Sequence, residues 1–95
     1  MNSENVERSV MEECLNKELH TLLILTRDRL GLTQAAMAKR YFMAKNTYSN
    51  LEGVKHGFGS LTTTLLLRDQ EDPKQVLEEL AVKMEAALAE VTVLI

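Results

Sequence analysis

TQAAMAKRYFMAKNTYSNLEG, residues Thr33 to Gly53, is the stretch whose reading decides the fold of this chain. Thr33 is placed to cap a helix in which Ala36, Met37 and the pair Arg40-Tyr41 recur at steps of three and four, the spacing of one helical face. A short break follows near Phe42-Met43. A second short helix runs from about Ala44 to Glu52, with Thr47-Tyr48 and Leu51 on its buried side. Just ahead of the stretch, Gly31 suits the left-handed C-cap of a preceding helix.

That preceding helix is expected from about Asn5 to Leu30, where Val6, Val10, Cys14, Leu19, Leu22, Leu23 and Leu30 form an approximately helical stripe between charges. On the other side, Gly53, Gly57 and Gly59 break up a loop, and Ser60 is a reasonable N-cap for a fourth helix through about Arg68. Asp72-Pro73-Lys74-Gln75 is the clearest start signal: an Asp cap, a Pro at the first helical position and a Gln three residues after the cap. In the helix that follows, Leu77, Leu80, Met84, Ala87, Val91 and Leu94 alternate at three- and four-residue spacing, a short heptad-like seam. Such a stripe is more often packed on its own domain. Its apolar end, Val91 to Ile95, nevertheless makes burial between subunits plausible. The expected architecture is all-α: one domain over residues 1–95, with its core at about 19–68 and a C-terminal helix at about 73–92 available for dimerisation. Scarce aromatics and no Trp lead to an expected core that is aliphatic and rich in methionine.

Two helices joined by a three- or four-residue turn let the second project into a DNA major groove while the first braces it. The net charge of −3 argues weakly against nucleic acid, but its distribution reverses that impression. Residues 27–68 hold Arg27, Arg29, Lys39, Arg40, Lys45, Lys55 and Arg68 against only Asp28 and Glu52, while both flanking segments are acidic. A basic middle between acidic ends concentrates the favourable field on the two short helices. No cofactor, metal or small-molecule substrate is implied. His20 and His56 stand apart from ligand-spaced Cys or acids, Glu12-Glu13 and Glu78-Glu79 split across helix surfaces, and the lone Cys14 reads as a buried reduced thiol. An enzyme is therefore not expected. The longest apolar run, Leu22 to Leu25, is too short to span a membrane, and no signal-peptide pattern opens the chain, so a cytoplasmic protein is expected.

With Arg27, Gly31-Leu32-Thr33-Gln34, Met37-Ala38, Ser49, Leu51-Glu52-Gly53 and Ser60-Leu61-Thr62-Thr63 in view, Leu30 to about Leu67 resembles the Cro/C1-type (XRE) helix-turn-helix family of phage repressors and small bacterial regulators. The resemblance implies a lambda-repressor-like fold, with extended N- and C-terminal helices outside the match. It implies an internal ion pair between Arg27 and Glu52, tying the end of the first helix to the end of the third. By position it places Gln34 against DNA backbone, at a helix N-terminus where free N–H groups favour phosphate. It places Lys45, Asn46, Ser49 and Asn50 on the face that meets base edges, where Lys donates to guanine and Asn can bond adenine in both directions. Thr47 matches a backbone-touching position, and Lys39, Arg40 and Lys55 could hold flanking phosphates. Three positions depart from the family. Phe42 stands where the turn normally has glycine, so the turn is either rebuilt or strained. Ala44 replaces the usual capping Ser or Thr, and Tyr48 fills a normally aliphatic core slot and needs a place for its hydroxyl.

The leading expectation is a sequence-specific DNA-binding transcriptional regulator, a repressor if its site overlaps a promoter, acting as a homodimer on a palindromic operator in double-stranded DNA. Leu80, Met84, Val91 and Leu94 are the expected dimerisation residues. The alternative is a protein-interaction module, antitoxin-like or an adaptor, that uses the same fold mainly to bind a protein partner.

Overall fold

The computed structural model describes residues 3–53 and 57–94, which form five helices and no strand. They are α1 (Ser3–Leu30), α2 (Gln34–Arg40), α3 (Lys45–Glu52), α4 (Ser60–Arg68) and α5 (Pro73–Leu94). At 1.5 Å rise per residue α1 is about 42 Å long, so it sets the 44 Å long dimension of the molecule. The shorter helices gather around its C-terminal half, and α5 packs back along it.

Local signals explain most of the boundaries. Gly31, at φ 68°, ends α1. Its N–H donates to the Asp28 carbonyl at 3.1 Å and the Leu32 N–H to the Arg27 carbonyl at 3.3 Å, the paired bonds of a Schellman cap. Thr33 caps α2 through its hydroxyl, which accepts from the Ala36 N–H at 3.1 Å. Asp72 caps α5 by accepting from the Gln75 N–H at 3.1 Å. The Gln75 amide turns to Glu79 rather than back to the cap, so only half of a capping box forms. Ser60 is not the cap of α4. Gly59 takes that position without a side-chain bond, and Ser60 is the first helical residue.

The core comprises Leu19 and Leu23 from α1, Met37, Ala38 and Tyr41 around α2, Tyr48 and Leu51 from α3, and Leu65 and Leu66 from α4. The expected interior is aliphatic through its five leucines, but it is not rich in methionine. Its two largest buried side chains are tyrosines, and Met37 is its only fully buried methionine among the described residues. Thr26 is a buried polar residue of α1. Its hydroxyl donates to the Leu22 carbonyl at 2.7 Å and accepts from the Gln70 amide at 2.9 Å, stitching α1 to the segment after α4. Thr47, expected on the buried side of α3, is exposed.

The apolar stripe of α5 faces α1. Leu80 packs against the core, Lys83 reaches Glu18 of α1 at 2.8 Å, and Ala87 shares a shallow surface with Cys14. Met84 and Val91, on that same stripe, are half-buried. Of the expected dimerisation residues, Leu80 thus packs within the chain, while Met84 and Val91 are partly exposed on the same stripe. The side chain of Leu94 lies outside the described residues. Cys14 is half-buried rather than fully enclosed. Among the described residues no helix is long and apolar enough to cross a membrane.

Candidate nucleic-acid interface

The α2–α3 pair is held at both ends by a carboxylate. At the end of α3, Glu52 is buried and accepts from Arg27 Nε at 2.6 Å, from the second Arg27 terminal nitrogen at 3.2 Å and from the Gln34 amide at 3.1 Å. Arg27 also donates to the Leu32 carbonyl at 3.1 Å, so one guanidinium ties together α1, the linker before α2 and the end of α3. Burial alone would raise the Glu52 pKa, but the bond from the Arg27 guanidinium first, then the neighbouring Tyr48 hydroxyl and the Gln34 amide, outweigh it and hold the carboxyl below its ordinary value. The same bond raises the pKa of Arg27. Gln34, expected at DNA backbone, bridges inward: its amide oxygen also accepts from the Ser49 hydroxyl at 3.3 Å.

At the end of α2 the anchor is Asp69, a residue the sequence did not single out. Its carboxylate is 3% exposed and receives a bidentate fork from Arg40, at 3.0 and 2.6 Å, together with the Tyr41 hydroxyl at 2.9 Å. Arg29 of α1 donates to the Asp69 backbone carbonyl, and Arg68 lies 3.9 Å from its carboxylate. The Arg40 fork, helped by Tyr41, lowers the Asp69 pKa against the opposing effect of burial. Arg40, expected at a flanking phosphate, thus gives two of its donors to Asp69 while its side chain stays 41% exposed. Nothing local marks Asp69: its partners lie 28 and 29 residues away in sequence.

Between these anchors runs the turn. The Phe42 N–H donates to the Lys39 carbonyl at 3.2 Å and the Met43 N–H to the Ala38 carbonyl at 3.0 Å, a second Schellman cap that repeats the pattern at Gly31. Here the left-handed position belongs to Phe42, at φ 59°. The turn is therefore strained, not rebuilt, at a cost of about 1 kcal/mol against glycine. The Phe42 ring is 76% exposed, between a buried Tyr41 and a half-buried Met43.

Helix α3 starts without a side-chain cap, because Ala44 holds the cap geometry but has no acceptor to offer. Tyr48, Leu51 and Glu52 form its buried side. The Tyr48 hydroxyl is buried beside Glu52 without a well-formed hydrogen bond, and burial pushes its pKa up, with the neighbouring carboxylate adding to the rise. The opposite side carries Lys45 and Ser49 one turn apart, and Asn46 and Asn50 one turn apart, a single contiguous face. Lys45, Asn46 and Ser49 are exposed and Asn50 is half-buried. Thr47 and Lys39 are exposed nearby, and Lys55 lies outside the described residues.

Among the described residues no group of three His, Cys, Asp or Glu side chains could hold a metal ion. His20 is half-buried, and its Nδ1 is buried without a hydrogen-bond partner. What the geometry brings together is a short helix with a polar outward face, fixed by two carboxylate anchors and preceded by a strained aromatic turn. Compared with known proteins, the chain matches no family model, no curated relative and no solved structure.

Proposed function

We propose that this chain is a sequence-specific DNA-binding transcriptional regulator of the lambda-repressor-like, Cro/C1-type helix-turn-helix kind. One observation carries the reading: α3 turns Lys45, Asn46, Ser49 and part of Asn50 outward on one face, while Tyr48, Leu51 and the Arg27–Glu52 pair fix the other. A short rigid helix with donors and acceptors on its free side is the element that reads major-groove base edges. In this reading Lys45 takes a guanine edge, Asn46 takes an adenine edge, and Lys39 and Thr47 meet phosphate. The chain acts as a homodimer on a palindromic site, with two α3 helices entering successive major grooves. With Leu80 packed on the core, the dimer draws on the partly exposed Met84 and Val91 of α5, together with the exposed Leu77 or Val82.

A second reading, a protein-interaction module, is favoured by the exposure of Leu25 on α1 and of Leu77 and Val82 on α5. Fluorescence anisotropy against fragmented genomic DNA of the source organism, at low and near-physiological salt, followed by sequencing of the bound fraction, separates the two. DNA reading requires an enriched palindromic sequence that persists at the higher salt and is lost when Lys45, Asn46 and Asn50 become alanine. Binding without enrichment, vanishing as salt rises, is the nonspecific phosphate attraction of any basic patch and would refute it.

A further inference from the structure

The structure contains the same helix-ending motif twice, once with Gly31 and once with Phe42 in the left-handed position. Phe42 is the unusual one of the two. Its backbone conformation is one that glycine adopts freely, and its ring gains little from the fold because it is mostly exposed. Its neighbours turn inward, Tyr41 buried and bonded to Asp69 and Met43 packed against the core, so of the three only Phe42 is exposed. The fold therefore pays strain to hold an apolar ring outward.

We infer that Phe42 is a specificity-determining contact that packs on a thymine 5-methyl group at the edge of the DNA site. This rests on the reading of α3 as a major-groove element. Phe42 lies three residues before Lys45, so its Cα is within about 10 Å of the first residue of that face. A phenyl ring has no donor or acceptor for phosphates or polar base edges. The apolar group that a base presents in the major groove is the thymine methyl, a known partner for aromatic and small apolar side chains. Phe42 thus extends a polar reading face by one apolar position on its N-terminal side.

The test is a parallel selection from a randomised duplex DNA pool with the wild-type protein, Phe42→Gly and Phe42→Leu. It is followed by titration of the wild-type consensus duplex with each thymidine replaced in turn by deoxyuridine, which removes only the methyl group. The expected result has three parts. One flanking deoxyuridine weakens wild-type binding about fourfold, the worth of one buried methyl group. Phe42→Gly is insensitive to that replacement but keeps the rest of the consensus, whereas Phe42→Leu keeps part of the sensitivity. In the absence of DNA, Phe42→Gly melts higher than wild type by roughly 4–8 °C, because the strain is gone. Equal deoxyuridine sensitivity in wild type and Phe42→Gly would overturn the assignment while leaving DNA reading by α3 intact. A lower melting temperature for Phe42→Gly would show that the ring serves the fold, and would overturn it too. If the wild type enriches no sequence at all, the DNA reading fails and takes the role of Phe42 with it.

Discussion

Replacing Arg27 by methionine removes the guanidinium while keeping much of the stem that packs beneath it, and so isolates the charge. Glu52, only 7% exposed at its side chain, would retain one donor, the Gln34 amide at 3.1 Å. Removing one partner of a buried ion pair typically costs about 3–5 kcal/mol, because the other charge is left without compensation. Arg27 itself is 22% exposed, so water can partly follow the lost group, which places the expected cost near the lower end, at about 3 kcal/mol. For a chain of this size that lowers the melting temperature by roughly 12–24 °C. Glu52→Gln is milder, about 1–2 kcal/mol, since the amide oxygen still accepts and the better-hydrated Arg27 tolerates the lost charge. The pH dependence provides a second signature. In the wild type Glu52 titrates below its ordinary value, so its contribution is fully present above the unfolded-state carboxylate pKa and is lost as pH falls through the folded value. In Arg27→Met burial acts without its opponent and raises the Glu52 pKa, so that variant gains relative stability as pH falls. The gap between the two proteins should therefore narrow from about pH 7 to about pH 5. Urea titrations followed by circular dichroism at several pH values measure both effects. A loss below about 1 kcal/mol, as for an exposed pair, or a gap that widens in acid would refute the reasoning.

Tyr48→Phe should leave stability unchanged or raise it by about 1 kcal/mol, since it deletes a buried hydroxyl without a good partner; a clear loss in denaturant titration would mean that hydroxyl is bonded to Glu52 after all. Ala44→Ser should stabilise by about 1 kcal/mol, because residue 44 already has the extended cap backbone and lacks only an acceptor for the N–H groups of α3. An unchanged urea midpoint would count against that cap. Gly31→Ala should destabilise by about 1 kcal/mol. Nothing lies within 4 Å of the added methyl group, so the whole effect is conformational; a melt that matches wild type would show that the left-handed turn relaxes at no cost.

Helix ends could be read from the chain because the groups that make them lie within a few residues. Thr33, Gly31 and Asp72 each satisfy an orphaned backbone group beside them, and each does so in the structure. Periodicity was legible in the same local sense, but it states only that a stripe is covered. It could not say that α5 lies against α1, so Leu80 and Met84 stayed open to a seam between subunits even though packing on their own domain is the commoner outcome. Asp69 was illegible for the same reason. An acid just past a helix resembles any solvated turn residue until Arg40 and Tyr41 are brought to it from another helix. The pairing of Arg27 with Glu52 also spans 25 residues and came from the family resemblance, not from any pattern within the residues. Gln34 and Arg40 carry partners that their positions in the sequence did not disclose. Their positions suited DNA backbone, yet their side chains turn to carboxylates of the protein itself.

The three departures from local preference, Phe42, Ala44 and Tyr48, fall within seven consecutive residues and all concern α3 or its entry. An eight-residue helix with a strained approach, no side-chain cap and a poorly satisfied buried hydroxyl would not persist alone, since isolated helices of that length are marginal even with good signals. Its order must come from tertiary structure, and the two anchors lie where such support is needed. Asp69 holds the exit of α2 through Arg40 and Tyr41, and Arg27 holds the last turn of α3 through Glu52. With both ends fixed, the intervening turn and helix can accept residues chosen for what they present to a partner. A chain under no such demand would relieve these positions by Phe42→Gly, Ala44→Ser and Tyr48→Phe, each expected to be neutral or stabilising. These three choices gather at α3 and its entry, the element whose outward face carries Lys45, Asn46 and Ser49, and under the proposed DNA reading that is where binding would compete with stability.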